Sequence, residues 1–113
     1  MSDAYHAYKA EEIARCGPRL SDRDIALFDL MQEEASEVIK DRSKLRRSDE
    51  RPGFRKMSDP DGPNTGQRLA GEVYDFLTLV DLAFDRGLLS REDFIAHKMT
   101  KLTKLRVFSP EIF

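Results

Sequence analysis

Two pairs of acidic residues are the features of this sequence best suited to chemistry. Glu34 and Glu37 are three residues apart, and so are Glu72 and Asp75. Side chains three residues apart lie on one face of a helix. Each pair also interrupts a run of apolar residues instead of lying opposite it. The spacing therefore predicts two carboxylate pairs that face into a helical protein.

Four carboxylates in a helical interior need a partner. An unpaired buried carboxylate costs free energy, and neighbouring carboxylates raise one another's pKa. A hard divalent cation offsets both effects, because Mg²⁺ prefers oxygen ligands and is often shared with substrate phosphates. His6 and His97 lie outside both acidic segments, which argues against zinc and against a di-iron site. We therefore expect Mg²⁺ at the four carboxylates, with Mn²⁺ able to substitute.

The hydrophobic pattern around these acids predicts an all-α fold. Apolar residues recur at three- and four-residue spacings, which is typical of amphipathic helices, and no segment alternates as a strand does. We expect four helices, over residues 4–15, 21–45, 67–86 and 90–105. The third is apolar almost all round, as is typical of a helix buried among other helices.

The connection between the second and third helices is unusually long. Residues 48–66 are interrupted by proline and glycine throughout, which predicts a loop. A loop of this length in a small domain is usually functional or mobile. The whole chain has 113 residues, so we expect one domain over residues 1–113 with a thin core. Burial between subunits would help to stabilise such a core.

Composition excludes several classes of function. The net charge is −2, so no overall basic field favours nucleic-acid binding. No stretch approaches the roughly 18 apolar residues of a membrane span. The single cysteine, Cys16, cannot form an intramolecular disulfide, and no apolar signal segment opens the chain. A cytoplasmic location is the resulting expectation.

The acidic segments also resemble the motifs of a known family. The run from Glu33 to Ile39 is similar to the EExxE motif of the MazG-like all-α nucleoside triphosphate pyrophosphohydrolases, and the run from Glu72 to Asp75 is similar to their ExxD motif. The resemblance extends over residues 27–106 and includes the hydrophobic frame of each motif. It implies a four-helix-bundle-like fold that is completed or extended by oligomerisation, as a homodimer or homotetramer.

The resemblance assigns roles to the acidic residues. Glu34, Glu37, Glu72 and Asp75 would bind Mg²⁺. The catalytic carboxylates would be Glu33, which would support the site or orient the attacking water, and Glu37. The implied reaction hydrolyses a nucleoside or deoxynucleoside triphosphate to the monophosphate and pyrophosphate, as a housekeeping activity on the nucleotide pool.

Basic residues near the motifs, together with the polar Asn64, are candidates for binding the substrate. The basic residues would neutralise charge on the phosphate oxygens. They follow the first motif, precede the second or lie on the last helix. The candidates are Lys40, Lys44, Arg47, Asn64, Arg68 and Lys101. Asn64 and Arg68 stand just before the second motif, where they could read a base or a sugar.

Two alternatives remain open from the sequence. The acids could form a solvated face with salt bridges to neighbouring cations, as charge runs usually do. The chain would then be a non-catalytic helical module that binds nucleotide or a protein partner. The segment that separates the two motifs, residues 38–71, is longer than is usual in the family. The additional residues fall in the long loop. That loop could be a lid, a specificity element or a tether in an oligomer.

Overall fold

The protein is all-helical, as predicted. A computed structural model describes residues 2–113, and no strand occurs among them. The α-helices are α1 (Asp3–Arg15), α2 (Asp22–Arg47), α3 (Thr65–Asp85) and α4 (Arg91–Phe108), followed by a 3₁₀ turn at Pro110–Ile112. All four predicted helices form, and α2, α3 and α4 each have one end two or three residues beyond the predicted limit.

Short polar side chains define where the helices begin. The hydroxyls of Ser21 and Ser90 each accept the N–H three residues on, at 3.1 Å. At the start of α3, the Asn64 side chain accepts the Gln67 N–H at 2.8 Å, and the Gln67 side chain accepts the Asn64 N–H at 2.9 Å. Such caps satisfy N–H groups that have no partner within the helix. They also set where the acidic pairs fall along α2 and α3.

Helices α2 and α3 pack against each other in antiparallel orientation and form the centre of the molecule. Arg86 joins their far ends, since its Nη1 lies 3.5 Å from Asp24 Oδ1 and donates to the Arg23 carbonyl at 3.3 Å. Two apolar residues are buried between them, Leu27 at 4% exposure and Ala83 at 0%. The core of one chain is therefore as thin as its length predicts.

Helices α1 and α4 contain no buried residue, and neither packs extensively on α2 or α3. The radius of gyration is 20.0 Å, compared with about 13 Å for a compact domain of this length. A complete four-helix bundle is therefore not formed within one chain. For the same reason α3 is covered on one side only, and Leu77 on its outer side is 50% exposed.

The long connection between α2 and α3 is anchored at both ends. The Arg42 guanidinium donates twice to the Glu50 carboxylate, at 2.8 and 3.2 Å. Farther along, the Gly66 N–H donates to the Pro52 carbonyl at 2.8 Å. A Cβ at Gly66 would lie 2.7 Å from the Pro52 Cβ, so this close approach requires glycine. The connection is thus folded against the start of α3.

None of the helices in residues 2–113 combines the length and apolar character of a membrane span.

Candidate metal centre

Three of the four predicted metal ligands lie together at the α2–α3 interface. One carboxylate oxygen from each of Glu34, Glu72 and Asp75 lies within 4.8 Å of the other two. The antiparallel packing places the middle of α2 opposite the middle of α3, which brings the two acidic pairs face to face. Glu34 and Glu72 are half-buried and Asp75 is exposed. Glu34 and Asp75 also line an open cavity of about 270 Å³, so the acidic group is accessible to a ligand.

The fourth predicted ligand, Glu37, lies beside this group. Its Oε1 is 3.6 Å from Lys40 Nζ, and its side chain is 46% exposed. It is nevertheless close enough to help raise the pKa of Glu72. Glu33, the other predicted catalytic residue, is exposed and does not belong to the group of three. Adjacent residues project about 100° apart around a helix, which turns Glu33 away from the face that carries Glu34.

A fifth acidic residue, Asp41, lies on the same face of α2 and was not among the predicted site residues. It is 7% exposed and is the one buried charged residue within residues 2–113. Its Oδ1 lies 3.5 Å from Lys44 Nζ. The signal was present, because Glu34, Glu37 and Asp41 follow one another at spacings of three and four. Asp41 stands outside the family motif, so the resemblance did not point to it.

The acidic side chains repel one another. Partial burial raises the pKa of Glu72, and the charges of Asp41, Glu34, Asp75 and Glu37 raise it further, with Asp41 the strongest of the four. Two of these four acids have a cationic partner, since Asp41 lies near Lys44 and Glu37 lies near Lys40. Within the group of three, neither Glu34, Glu72 nor Asp75 has a cationic nitrogen of residues 2–113 within 4.0 Å.

The spacing of these oxygens suits a divalent cation. Mg²⁺ binds oxygen at about 2.0–2.1 Å, so two oxygens on opposite sides of one ion lie about 4.2 Å apart. Three oxygens within 4.8 Å of one another could share one ion if side-chain rotations bring neighbouring oxygens closer together. The donor set is entirely carboxylate, which is typical of Mg²⁺ or Mn²⁺ and not of zinc.

The predicted substrate-binding residues fall into two groups. Lys44, Arg47 and Arg68 line one cavity of about 350 Å³, together with Lys56 from the long connection. Lys56 was not predicted, because a loop residue carries no periodic signal.

The other three lie elsewhere. Lys40 is paired with Glu37, and the Asn64 side chain caps α3. Lys101 is an exposed residue of α4, which does not pack extensively on the helices that carry the acids.

Comparison of the chain with protein-family models, with curated proteins and with solved structures returns no match. The MazG-like assignment therefore stays a prediction from the two motifs.

Proposed function

We propose that this protein is a Mg²⁺-dependent nucleoside triphosphate pyrophosphohydrolase of the MazG-like kind. The observation that supports the proposal best is the convergence of Glu34, Glu72 and Asp75 on one point between two helices. Acidic residues gathered without cations destabilise a folded chain, so their arrangement is best explained by a bound ion. Residues from both predicted motifs contribute to the group.

Mg²⁺ held by these carboxylates would neutralise charge on the phosphate oxygens and act as a Lewis acid. The side chains of the protein have three tasks. Glu34, Glu72 and Asp75 hold and orient the ion. Glu37 stands beside them with an exposed carboxylate, where it accepts a proton from the attacking water. Asp41 holds the Lys44 ammonium at 3.5 Å, and Lys44 also lines the cavity that contains Arg47, Lys56 and Arg68.

The reaction breaks the anhydride bond between the α- and β-phosphates. The water oxygen forms a bond to the α-phosphorus, and one water proton passes to Glu37. The bond between the α-phosphorus and the bridging oxygen breaks, and that oxygen keeps the electron pair and leaves with pyrophosphate. The other product is the nucleoside monophosphate.

The chain should act as a homodimer or homotetramer. Its accessible surface is 9236 Å², which is roughly 2,900 Å² more than a compact monomer of this mass exposes. A standard interface buries only about 800 Å² per partner. On α4, Ile95 and Met99 are 61% and 63% exposed, as expected of a helix that packs on another subunit. Sedimentation velocity should give a multiple of 13.0 kDa; a monomer at micromolar concentration would contradict this part of the proposal.

The test of the activity is a panel of nucleoside and deoxynucleoside triphosphates with Mg²⁺, assayed separately for pyrophosphate and for phosphate. We expect pyrophosphate and monophosphate in equal amounts, and their loss in Glu34→Gln. Asp81→Asn is the matched control, because Asp81 is 71% exposed and lies near Arg91 instead of the acidic group. Phosphate as the product, or full turnover in Glu34→Gln, would refute the proposal. Binding of triphosphate without turnover would favour the non-catalytic module.

A further inference from the structure

A second cavity lies at the end of the α2–α3 pair that carries the long connection. Lys44 and Arg47 reach it from α2, Lys56 from the connection and Arg68 from α3. We call these four residues and the cavity of about 350 Å³ that they line the basic pocket. No acidic side chain lines it.

Most cations in this part of the molecule have a carboxylate partner, but three of the four in the basic pocket do not. Lys40, Arg42, Lys44 and Arg46 each have a carboxylate oxygen within 4.0 Å. By the same measure Arg47, Lys56 and Arg68 have no such oxygen anywhere in residues 2–113. Three unpaired positive charges around one cavity repel one another. An anion bound among them would remove that repulsion.

The position of Arg68 is unfavourable for α3 itself. Cations stabilise the C-terminal end of a helix and acids stabilise its N-terminal end, which explains Lys44 and Arg47 near the end of α2. Arg68 lies at the opposite, unfavourable end, because it is the fourth residue of α3. Among the α-helices of residues 2–113, α3 is also the one without an acid in its first turn. Helix stability does not account for this arginine, and binding of an anion does.

The wall of the basic pocket is held in place by hydrogen bonds. The Thr65 hydroxyl donates to the carbonyls of Arg51 and Pro52, both at 3.1 Å, and the Thr65 N–H donates to the Phe54 carbonyl at 2.9 Å. Across the connection, Arg55 Nε donates to the Gly62 carbonyl at 2.9 Å. The Thr65 contacts join the first part of the connection to α3, and the Arg55 contact joins the first part of the connection to its last part. The pocket is therefore formed before any ligand binds, which lowers the entropic cost of binding.

We propose that the basic pocket binds the β- and γ-phosphates of the substrate, the part that leaves as pyrophosphate. Arg68 lies four residues before Glu72 on α3, a separation of about 6 Å along the helix axis. A triphosphate can therefore reach from the carboxylates to the basic pocket. Arginine suits this task because its guanidinium can donate two parallel hydrogen bonds to one phosphate. The identity of the substrate rests on the proposed function, whereas the binding of a polyphosphate anion does not.

The test is isothermal titration of the full-length protein with inorganic pyrophosphate, in the presence of a chelator and without divalent metal. We expect wild type to bind pyrophosphate, and Lys56→Ala and Arg68→Ala each to bind it at least about tenfold more weakly. Lys98→Ala on α4 is the control and should bind as wild type does, because Lys98 does not line the pocket. Lys56 lies outside every helix, so its replacement should not lower the melting temperature.

Three results would overturn the proposal: no binding of pyrophosphate by wild type, an equal loss in Lys98→Ala, or displacement of pyrophosphate by uridine or adenosine. The last would mean that the pocket holds the base, against the 55% exposed Phe54 ring. The outcome is separable from that of the activity assay. Pyrophosphate binding without triphosphate hydrolysis would support the anion-binding role of the pocket and refute the proposed function. Hydrolysis of the triphosphate with a KM that Lys56→Ala does not change would support the proposed function and refute the role of the pocket.

Discussion

Replacing Asp75 with asparagine should stabilise the protein relative to wild type when Mg²⁺ is absent and destabilise it relative to wild type when Mg²⁺ is present. An oxygen of Asp75 lies within 4.8 Å of an oxygen of Glu34, and in water two charges at that separation repel by about 0.9 kcal/mol. Asp75→Asn removes this repulsion. Without metal the variant should therefore melt about 4 °C higher than wild type, since about 1 kcal/mol shifts the midpoint of a domain of this size by that amount.

With metal the order should invert. A ligand at one hundred times its Kd stabilises the folded state by about 2.7 kcal/mol, so saturating Mg²⁺ should raise the wild-type midpoint by about 10 °C. Asp75→Asn loses a charged ligand and should lose most of this increase. Asp75→Asn should thus have the higher melting midpoint with chelator, and wild type should have the higher midpoint with Mg²⁺.

The measurement is thermal unfolding followed by circular dichroism at one fixed protein concentration, because oligomerisation makes the midpoint depend on concentration. Low ionic strength keeps the repulsion measurable, since dissolved salt weakens the interaction between exposed charges. Asp81→Asn is the control and should keep the full Mg²⁺-induced increase. Retention of that increase by Asp75→Asn, or its loss in Asp81→Asn, would refute the metal site.

Three further predictions concern stability. The pKa of Glu72 is raised above its ordinary value of 4.5, so its stabilising contribution is complete below that value and is lost as the pH rises through the raised pKa. In urea titrations, metal-free wild type should therefore lose stability relative to Glu72→Gln as the pH rises above 4.5. A difference that stays constant with pH would contradict the repulsion. Leu27 is 4% exposed, so Leu27→Ala should lower the free energy of unfolding by about 2–3 kcal/mol in the same assay. Leu30 is 47% exposed, so Leu30→Ala should lower it by less than about 1 kcal/mol. Equal losses would contradict the placement of Leu27 in the core. The Arg86 and Asp24 side chains are 25% and 24% exposed, so Arg86→Ala should destabilise the protein by about 1–2 kcal/mol, and an unchanged urea midpoint would show that this ion pair does not hold the end of the helix pair.

The helices were predictable because they depend on residues close together in the chain. The three- and four-residue apolar spacings, Ser21 before α2 and Ser90 before α4 are local signals, and each helix starts within two residues of its predicted limit. The two acidic pairs were predictable for the same reason. Spacing along one helix determines which side chains share a face.

The packing of α1 and α4 could not be predicted from the sequence in the same way. Their apolar residues indicate that something covers them, but a hydrophobic pattern does not distinguish the protein's own helices from those of another subunit. Ile95 and Met99 have helical spacing and yet are largely exposed in a single chain. The pattern determines that a face is apolar, and the partner depends on how the separate helices are connected and assembled.

The sequence alone determined that this protein is helical and that it carries carboxylates in pairs at one face of two helices, because both properties follow from the repeat of the helix. Only the tertiary structure decided which of those carboxylates meet. The antiparallel packing of α2 on α3 unites Glu34 with Glu72 and Asp75, adds the buried Asp41 and leaves Glu33 in solvent. It also brings Lys56 beside Arg68, since contact between distant residues depends on the register of two packed helices and on the path of the chain between them.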